Sequence, residues 1–380
     1  MNVEVRVIDN RKGKGLFAKK NFKAGDTIFE EDPLVCCQFA WNEQYGYEAC
    51  DHCMRPLETA EENAKRLTNK WNLVLPYPQC CDVQKANIVE CAACGVKYCS
   101  EACRVLAFQQ YHRTICIQTK ERDFAHPLEK LTESWKEMHF PPETCNIMLL
   151  VRILAIVQQS PNRTEAMQQF MQFCHRTVNE DADLAHKLVG EPFVCQINLM
   201  MQLVQQAMTL DGVEHWFTPE GFRSLMALIG TNGQGVGTSA ISVWVKNSSN
   251  LPLSDQERAE LDKFIDTLYE DLEKESGTFL NNEGSALYAL QSACNHSCLP
   301  NAQPNFLHNN FQLSMVTLKD IQAGEEITIS YLDECVLNRS RHSRQTFLAE
   351  NYMFVCDCPK CQSQADDPDV TSEEEMSDSE

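Results

Sequence analysis

The chain has 380 residues, 43% of them apolar, with 20 cysteines and a formal net charge of −21. That length can bury one large core or two to three smaller units. The charge, part of which sits in the C-terminal tail, disfavours direct nucleic-acid binding, which usually needs a basic surface, and favours basic partners through long-range attraction.

No apolar run approaches the roughly 18 residues needed to span a bilayer. The N-terminus lacks the basic-then-apolar pattern of a secretory signal. A cytoplasmic protein is expected, with the nucleus as a second compartment. In such a setting so many cysteines argue for metal binding rather than disulfides.

At the start, Val3, Val5 and Val7 alternate with Glu4 and Arg6. That period of two predicts a half-buried strand with the valines on one side. Lys12-Gly13-Lys14-Gly15 reads as a turn, and short strands and turns follow through residues 16–18 and 24–29. Residues 50–116 hold a dense Cys/His cluster with a polar stretch at 58–69. Residues 127–210 read mostly as helices, with Pro141-Pro142-Glu143 as a helix start. Within them the apolar run 148–157, broken only by Arg152, reads as a buried helix.

Residues 218–239 end in a glycine-rich loop at 230–237. It lacks the Lys-Ser/Thr ending of a P-loop, which excludes nucleoside triphosphate binding there. Residues 255–275 form an amphipathic helix with Leu261, Phe264, Ile265, Leu268 and Leu272 as its apolar side. Strands return at 311–318 and 326–331, and the last ten residues are an acidic tail expected to be disordered. There is no internal repeat.

Four paired spacings stand out: Cys50-x2-Cys53, Cys91-x2-Cys94, Cys99-x3-Cys103 and His112-x3-Cys116. Two intervening residues let a tight turn aim both sulfurs at one ion; three put ligands at i and i+4 on one helical face. Eight such ligands make two tetrahedral zinc sites. Buried cysteines acting as small hydrophobes do not produce so regular an array. Spacing alone does not assign ligands to ions, and Cys80 and Cys81, inside the long gap from Cys53 to Cys91, compete as ligands. A third cluster, Cys356-x-Cys358-x2-Cys361, needs a fourth partner, for which Cys298 is the candidate. The remaining cysteines (Cys36, Cys37, Cys80, Cys81, Cys145, Cys174, Cys195, Cys294 and Cys335) are read as core residues. All three zinc sites are closed, hence structural.

Three segments carry the chemistry. Asn295-His296-Ser297-Cys298-x-Pro300-Asn301 matches the SET-domain signature. Gly324-Glu325-Glu326-Ile327-Thr328-Ile329-Ser330-Tyr331 matches the second SET signature, which ends in the catalytic tyrosine. Cys356-x-Cys358-x2-Cys361 matches the post-SET zinc motif. They occur in the expected order, and the early Cys/His array resembles a MYND zinc finger. The chain resembles the SET-and-MYND lysine methyltransferase family across essentially its whole length. The acidic tail and the long spacer inside the zinc array narrow the resemblance to one member.

The resemblance implies two interleaved zinc sites in the finger, one on Cys50, Cys53, Cys99 and Cys103, the other on Cys91, Cys94, His112 and Cys116. It implies S-adenosylmethionine as methyl donor and Tyr331 as the catalytic residue, its hydroxyl lying where amine and methyl meet. Asn295 and His296 would hold the cofactor, Lys12 and Lys14 would approach its carboxylate end, and Asn232, Ser292 and Phe354 would contact it. Tyr352 and Phe354 would wall the lysine channel, where aromatic faces suit a methylated ammonium. The chemistry fits: the attacking lysine must be neutral although its free pKa is ~10.4. A narrow dry channel lowers that value by desolvation, and what remains is alignment and electrostatics.

The expected fold is α+β, a mostly-β SET core with an inserted MYND zinc finger, helical insertions and a zinc-bound post-SET segment. The expected divisions are 1–49, the N-terminal SET part; 50–116, the finger; 117–215, a helical insertion; 216–335, the catalytic core; 336–361, the post-SET segment; and 362–380, the tail. Only 19 residues follow Cys361, so the C-terminal helical-repeat domain of many family members is not expected, and the substrate cleft should be open on that side. Substrates implied by the resemblance are lysines of basic proteins, among them histone tails and ribosomal proteins, with a proline-rich peptide as a further partner of the finger. Neither nucleic acid nor membrane is expected as a partner, and the chain should act as a monomer. The rival reading is a non-catalytic adaptor that binds proline-rich peptides. Such an adaptor would have lost the tyrosine or the Asn-His pair, and both are intact.

Overall fold

The computed structural model describes residues 2–9, 12–138, 146–179, 184–185, 194–209, 211–277 and 280–368. The fold is α+β, built on three small sheets. The first has four strands in the order Val3–Asp9, Gly13–Ala18, Glu326–Ile329 and Asn295–His296. The second joins Val35–Gln38, Asn282–Leu287 and Gln234–Thr238, and the third joins Ala302–Asn305, Leu313–Thr317 and Thr27–Glu31. Their inward residues, including Leu16, Ile28, Met315 and Ile327, form one apolar core. Strand neighbours are therefore drawn from both ends of the chain.

The first sheet contains the junction on which the site rests. Asn295 pairs with Thr328 and His296 with Ile329 in parallel register. Asn301, the last residue of the same motif, clamps that pairing from the side. Its Nδ2 donates to the Glu326 carbonyl at 2.8 Å, and its Oδ1 accepts from the Thr328 N–H at 2.8 Å. Two sequence signatures thus lie side by side.

The helical half packs around Ile147–Gln159, whose apolar residues point in every direction and are nearly all buried. Asn146 caps it, accepting from the Met148 N–H at 3.0 Å. Each fully buried Leu, Ile or Val here contributes roughly 1.5–3 kcal/mol. The one cation in this helix, Arg152, is buried and bonded through both of its terminal nitrogens. Its Nη1 donates to the carbonyls of Cys36 at 2.6 Å and Asp51 at 2.8 Å, and its Nη2 to Asp51 Oδ1 at 2.5 Å. The guanidinium lies 4.5 Å from the Tyr111 ring centre. Helix, sheet and the Cys/His segment meet at this one side chain.

The spacer between Cys53 and Cys91 is an ordered element. Helix Ala60–Thr68 opens with a capping box between Thr59 and Glu62 and ends at Asn69, whose φ of 53° is left-handed. It packs on helices Ala240–Ser249 and Asp255–Ser276 around Trp244, Leu261 and Leu268. The long helix has its own capping box, Ser254 with Glu257. Of its predicted apolar face, Leu261, Leu268 and Leu272 are buried, and Phe264 and Ile265 half-buried.

Several local expectations need correction. Val3 is buried, but Val5 and Val7 are 44% and 79% exposed. Their strand is the sheet edge and runs out past the core, so alternation there marks no buried face. The predicted turn at 12–15 is mostly strand, because Gly13 and Gly15 pair with Asp9 and Arg6. The glycine-rich loop at 230–237 is not a loop. Helix Pro219–Asn232 runs through its first half, and strand Gln234–Thr238 follows and pairs with Asn282–Leu287. Backbone pairing satisfied a segment whose composition suggested a turn. Among the cysteines read as core, Cys174, Cys195 and Cys335 are exposed. The helix start at Pro141-Pro142-Glu143, Cys145 and residues 369–380 of the tail lie outside the described residues.

Removing one member of a buried ion pair strands the other, typically at about 3–5 kcal/mol. Arg152→Ala should lower stability by that amount in chemical denaturation, with the finger and helical core loosening together. An unchanged midpoint would show that Asp51 is solvated without its partner.

Candidate active site and zinc centres

The metal-ligand candidates gather into three groups: Cys50, Cys53, Cys99 and Cys103; Cys91, Cys94, His112 and Cys116; and Cys298, Cys356, Cys358 and Cys361. Within each group all ligand atoms lie within 4.8 Å of one another. Sulfur separations include 3.6 Å for Cys53–Cys99, 3.9 Å for Cys91–Cys116 and 3.6 Å for Cys298–Cys361. Zinc with bonds of about 2.3 Å to sulfur needs ligand edges of about 3.8 Å, so all three groups are able to hold it. The first two groups interleave along the chain. Cys80 and Cys81 belong to none: Cys80 is buried in the spacer's core, and the Cys81 sulfur accepts from the Ala60 N–H at the start of a helix.

Local structure explains the spacings. After Cys91 the chain reverses at Gly95, with a φ of 77°, and the Gly95 N–H returns to the Cys91 carbonyl. Ser100 caps helix Glu101–Ala107 through the Cys103 N–H, placing Cys103 one turn beyond Cys99. In each all-cysteine group one thiol, Cys99 or Cys361, is held well below the ordinary range by hydrogen bonds from its neighbours. A first thiolate is therefore favoured in each.

A cavity of about 1340 Å³ opens beside the paired signatures. Tyr331, Tyr352, Phe354 and His296 form an aromatic group in its wall. Ring centres are 4.8 Å apart for Tyr331–Tyr352, 6.2 Å for Tyr331–Phe354 and 6.1 Å for His296–Phe354. Between Tyr352 and Phe354, Met353 takes a left-handed φ of 58° at the end of helix Arg341–Tyr352, which turns both rings the same way. The Tyr331 hydroxyl donates to the Cys294 carbonyl at 2.7 Å. Burial pushes its pKa well above the ordinary value of 10.0, so it stays protonated. Burial likewise raises Tyr352 to about 12.

His296 connects this group to the third zinc centre. Its Nδ1 accepts the Tyr331 N–H at 3.0 Å, and its Nε2 lies 3.3 Å from Cys298 Sγ. Accepting at Nδ1 leaves the proton on Nε2, which donates to the sulfur. Burial lowers the ring's pKa to about 4, keeping it neutral.

Asn295 is fixed by two donations from Nδ2, to the Lys14 carbonyl at 2.9 Å and to Glu326 Oε1 at 2.8 Å. A Cβ at Gly15 would lie 2.6 Å from the tip of Ile8, 3.0 Å from Glu326 Oε1 and 3.2 Å from Asn295 Nδ2, so a side chain there would press on the Asn295–Glu326 bond. Lys12, Lys14, Asn232 and Ser292 line the same cavity. Lys12 Nζ lies 3.8 Å from an Asp357 oxygen, and the Ser292 hydroxyl donates to the Ala289 carbonyl. Asn232 spends its amide donors on the carbonyls of Cys174 and Leu228.

Two buried polar atoms in the wall, Thr231 Oγ1 and Gln291 Oε1, have no partner. Cationic side chains, orphaned polar atoms and a cavity of this size fit S-adenosylmethionine, a zwitterion at one end and a nucleoside at the other.

Sequence reasoning missed several contributors. Residues 172–176 and Asn179 form one side of the cavity, and Asn179 Nδ2 donates to the Met353 carbonyl at 2.8 Å. They carry no motif and lie far from the signatures in sequence. Glu31, its pKa raised by burial, accepts the Leu290 and Gln291 N–H groups and so fixes the turn before Asn295. No spacing rule points to it.

The SET-domain sequence profile matches residues 13–332. The protein-lysine N-trimethyltransferase SMYD5 of Gallus gallus is 54% identical over 98% of this chain and 89% of its own length. The SMYD5 of Homo sapiens is 53% identical over 98% and 90%. The histone-lysine N-methyltransferase SMYD3 of Mus musculus is 24% identical over 99% of this chain and 65% of its own. These likenesses and the paired signatures define a SET-domain methyltransferase, and within that class the chain belongs to the SMYD5 family. This is the member to which the tail and the long spacer point.

Purified protein should bind three zinc ions per chain, one for each group. Cys103→Ser should lower the count by one, whereas Cys80→Ser and Cys81→Ser should leave it unchanged. Elemental analysis decides between these ligand sets.

Proposed function

We infer that the chain is a protein-lysine N-methyltransferase that uses S-adenosylmethionine. The observation that carries this reading is the Tyr331 hydroxyl beside His296, Tyr352 and Phe354 in a cavity lined by Lys12, Lys14 and Asn295. The bound cofactor supplies the methyl group from its sulfonium. The protein's residues do the rest by orientation and electrostatics.

In this reading Lys12 and Lys14 attract the cofactor's carboxylate, while Asn295, His296, Asn232 and Ser292 border it. Tyr331, Tyr352 and Phe354 enclose the substrate's aliphatic stem and exclude water, which favours the neutral amine. The Tyr331 hydroxyl, always protonated and already aligned by Cys294, orients the reacting centre. Phe354 carries no hydroxyl that would restrain a partly methylated amine, which supports successive transfers, as the names of the SMYD5 relatives state for those proteins. We propose the six-part division given above, with segment 50–116 as a MYND finger.

The net charge of −21 supports basic protein substrates, histone tails or ribosomal proteins among them. Val105, Leu106 and Phe108 are exposed on the finger, which supports a proline-rich peptide as a second partner. Cysteines that gather as metal ligands and form no disulfide among the described residues support a reducing compartment, cytoplasm and nucleus.

Tyr331→Phe should lower kcat roughly a hundredfold or more, with cofactor affinity by calorimetry nearly unchanged. Transfer at the wild-type rate would remove the hydroxyl from the mechanism. With saturating cofactor, the rate should rise with pH as the substrate amine loses its proton. Since Tyr331 titrates above its ordinary range, no falling limb should appear while the protein stays folded. A bell-shaped profile centred near neutrality would assign a second titrating group to the chemistry.

A further inference from the structure

A fully buried arginine sits against the third zinc centre. Arg344, on helix Arg341–Tyr352, has no exposed surface. Its Nη1 donates to the Arg339 carbonyl at 2.6 Å. Its Nη2 donates to Gln364 Oε1 at 2.7 Å and reaches Cys361 Sγ at 3.6 Å. Its Nε is buried without a partner. Of that centre's thiols it reaches Cys361, with Cys298 Sγ 3.6 Å beyond, and no ion pair joins it to a carboxylate among the described residues. Arg152, the other arginine buried this deeply, has Asp51.

An unpaired guanidinium in a dry interior is strongly unfavourable. Four thiolates on a divalent ion leave a dianion, which is also unfavourable alone. Each resolves the other's problem. N–H donors to ligating sulfurs also withdraw electron density and make the thiolate a weaker nucleophile. We propose that Arg344 is the counter-ion of the Cys298, Cys356, Cys358 and Cys361 zinc centre, a positioning residue that retains the metal and keeps Cys361 and Cys298 unreactive. This goes beyond the methyl-transfer reading, because the residue acts on the metal and touches neither substrate nor cofactor. It matters to catalysis because Phe354 precedes Cys356, one of these ligands, by two residues, so loss of the metal frees a wall of the channel.

The test uses the zinc-loaded full chain. Transfer of zinc to the chromophoric chelator 4-(2-pyridylazo)resorcinol is followed in time. Alkylation of individual cysteines by iodoacetamide is read by mass spectrometry. Arg344→Met should release one zinc at least about tenfold faster than wild type, the usual effect of losing such a partner, with Cys361 and Cys298 alkylated first. The zincs of the finger should leave at the wild-type rate, an internal check that the variant is folded. Arg344→Lys keeps the charge and Gln364→Ala removes one of the fork's two anchors away from the thiols, the Arg339 carbonyl being the other, so both should stay close to wild type. Zinc release from Arg344→Met at the wild-type rate would overturn the proposal. So would equally fast release from Arg344→Lys or Gln364→Ala, since shape and packing, rather than charge, would then hold the metal.

Discussion

The site depends on a short parallel pairing, Asn295 with Thr328 and His296 with Ile329. Parallel strands this short are weak on their own. Here the pairing is held by the Asn301 side chain, which replaces ladder bonds the backbone does not make. Everything chemical is aligned from it. Asn295 turns toward the glycine strand, His296 toward the third metal group, and the strand that receives them runs on into Tyr331. A shift of one residue would turn Asn295 and His296 to opposite faces and dissolve the cavity wall.

From this pairing a chain of polar contacts leads outward. The His296 ring is neutral and held by one bond at each nitrogen, to the Tyr331 backbone and to Cys298. Tyr331, the residue proposed to orient methyl transfer, and Cys298, a proposed zinc ligand, are thus separated by one imidazole. The same metal group holds Cys356, and through it the turn at Met353 that aims Tyr352 and Phe354. A structural metal held in this position would set the geometry of the proposed active site without taking part in the reaction.

The sequence disclosed those features whose chemistry demands a fixed spacing. Ligand pairs such as Cys99 and Cys103 were legible because a helix repeats every three to four residues. The Asn295 and Tyr331 segments were legible because each is contiguous. What was hidden depends on contacts between distant segments. Nothing in the composition of residues 230–237 distinguished a loop from a strand that finds partners in 282–286. Val5 and Val7 alternate as a core strand does, yet only the edge position of their strand says where they point. Glu31 and Arg344 look like ordinary surface charges until folding buries them. Arg152 was visible as an interruption, and its ligand Asp51 sits between two metal-binding cysteines.

That last arrangement bears on how the finger moves. Zinc fingers are commonly pictured as modules on tethers, free to search for a partner while an enzyme works. Here Asp51, inside the first metal loop, is bonded to the central helix and to the strand Val35–Gln38 through one guanidinium, while the spacer that loops out of the finger is packed under Trp244. The finger is anchored twice, at its knuckle and at its insertion. A ligand captured on its outer face would be presented at a fixed distance and angle from the cavity, so recognition there acts as a ruler for the substrate and not as a leash.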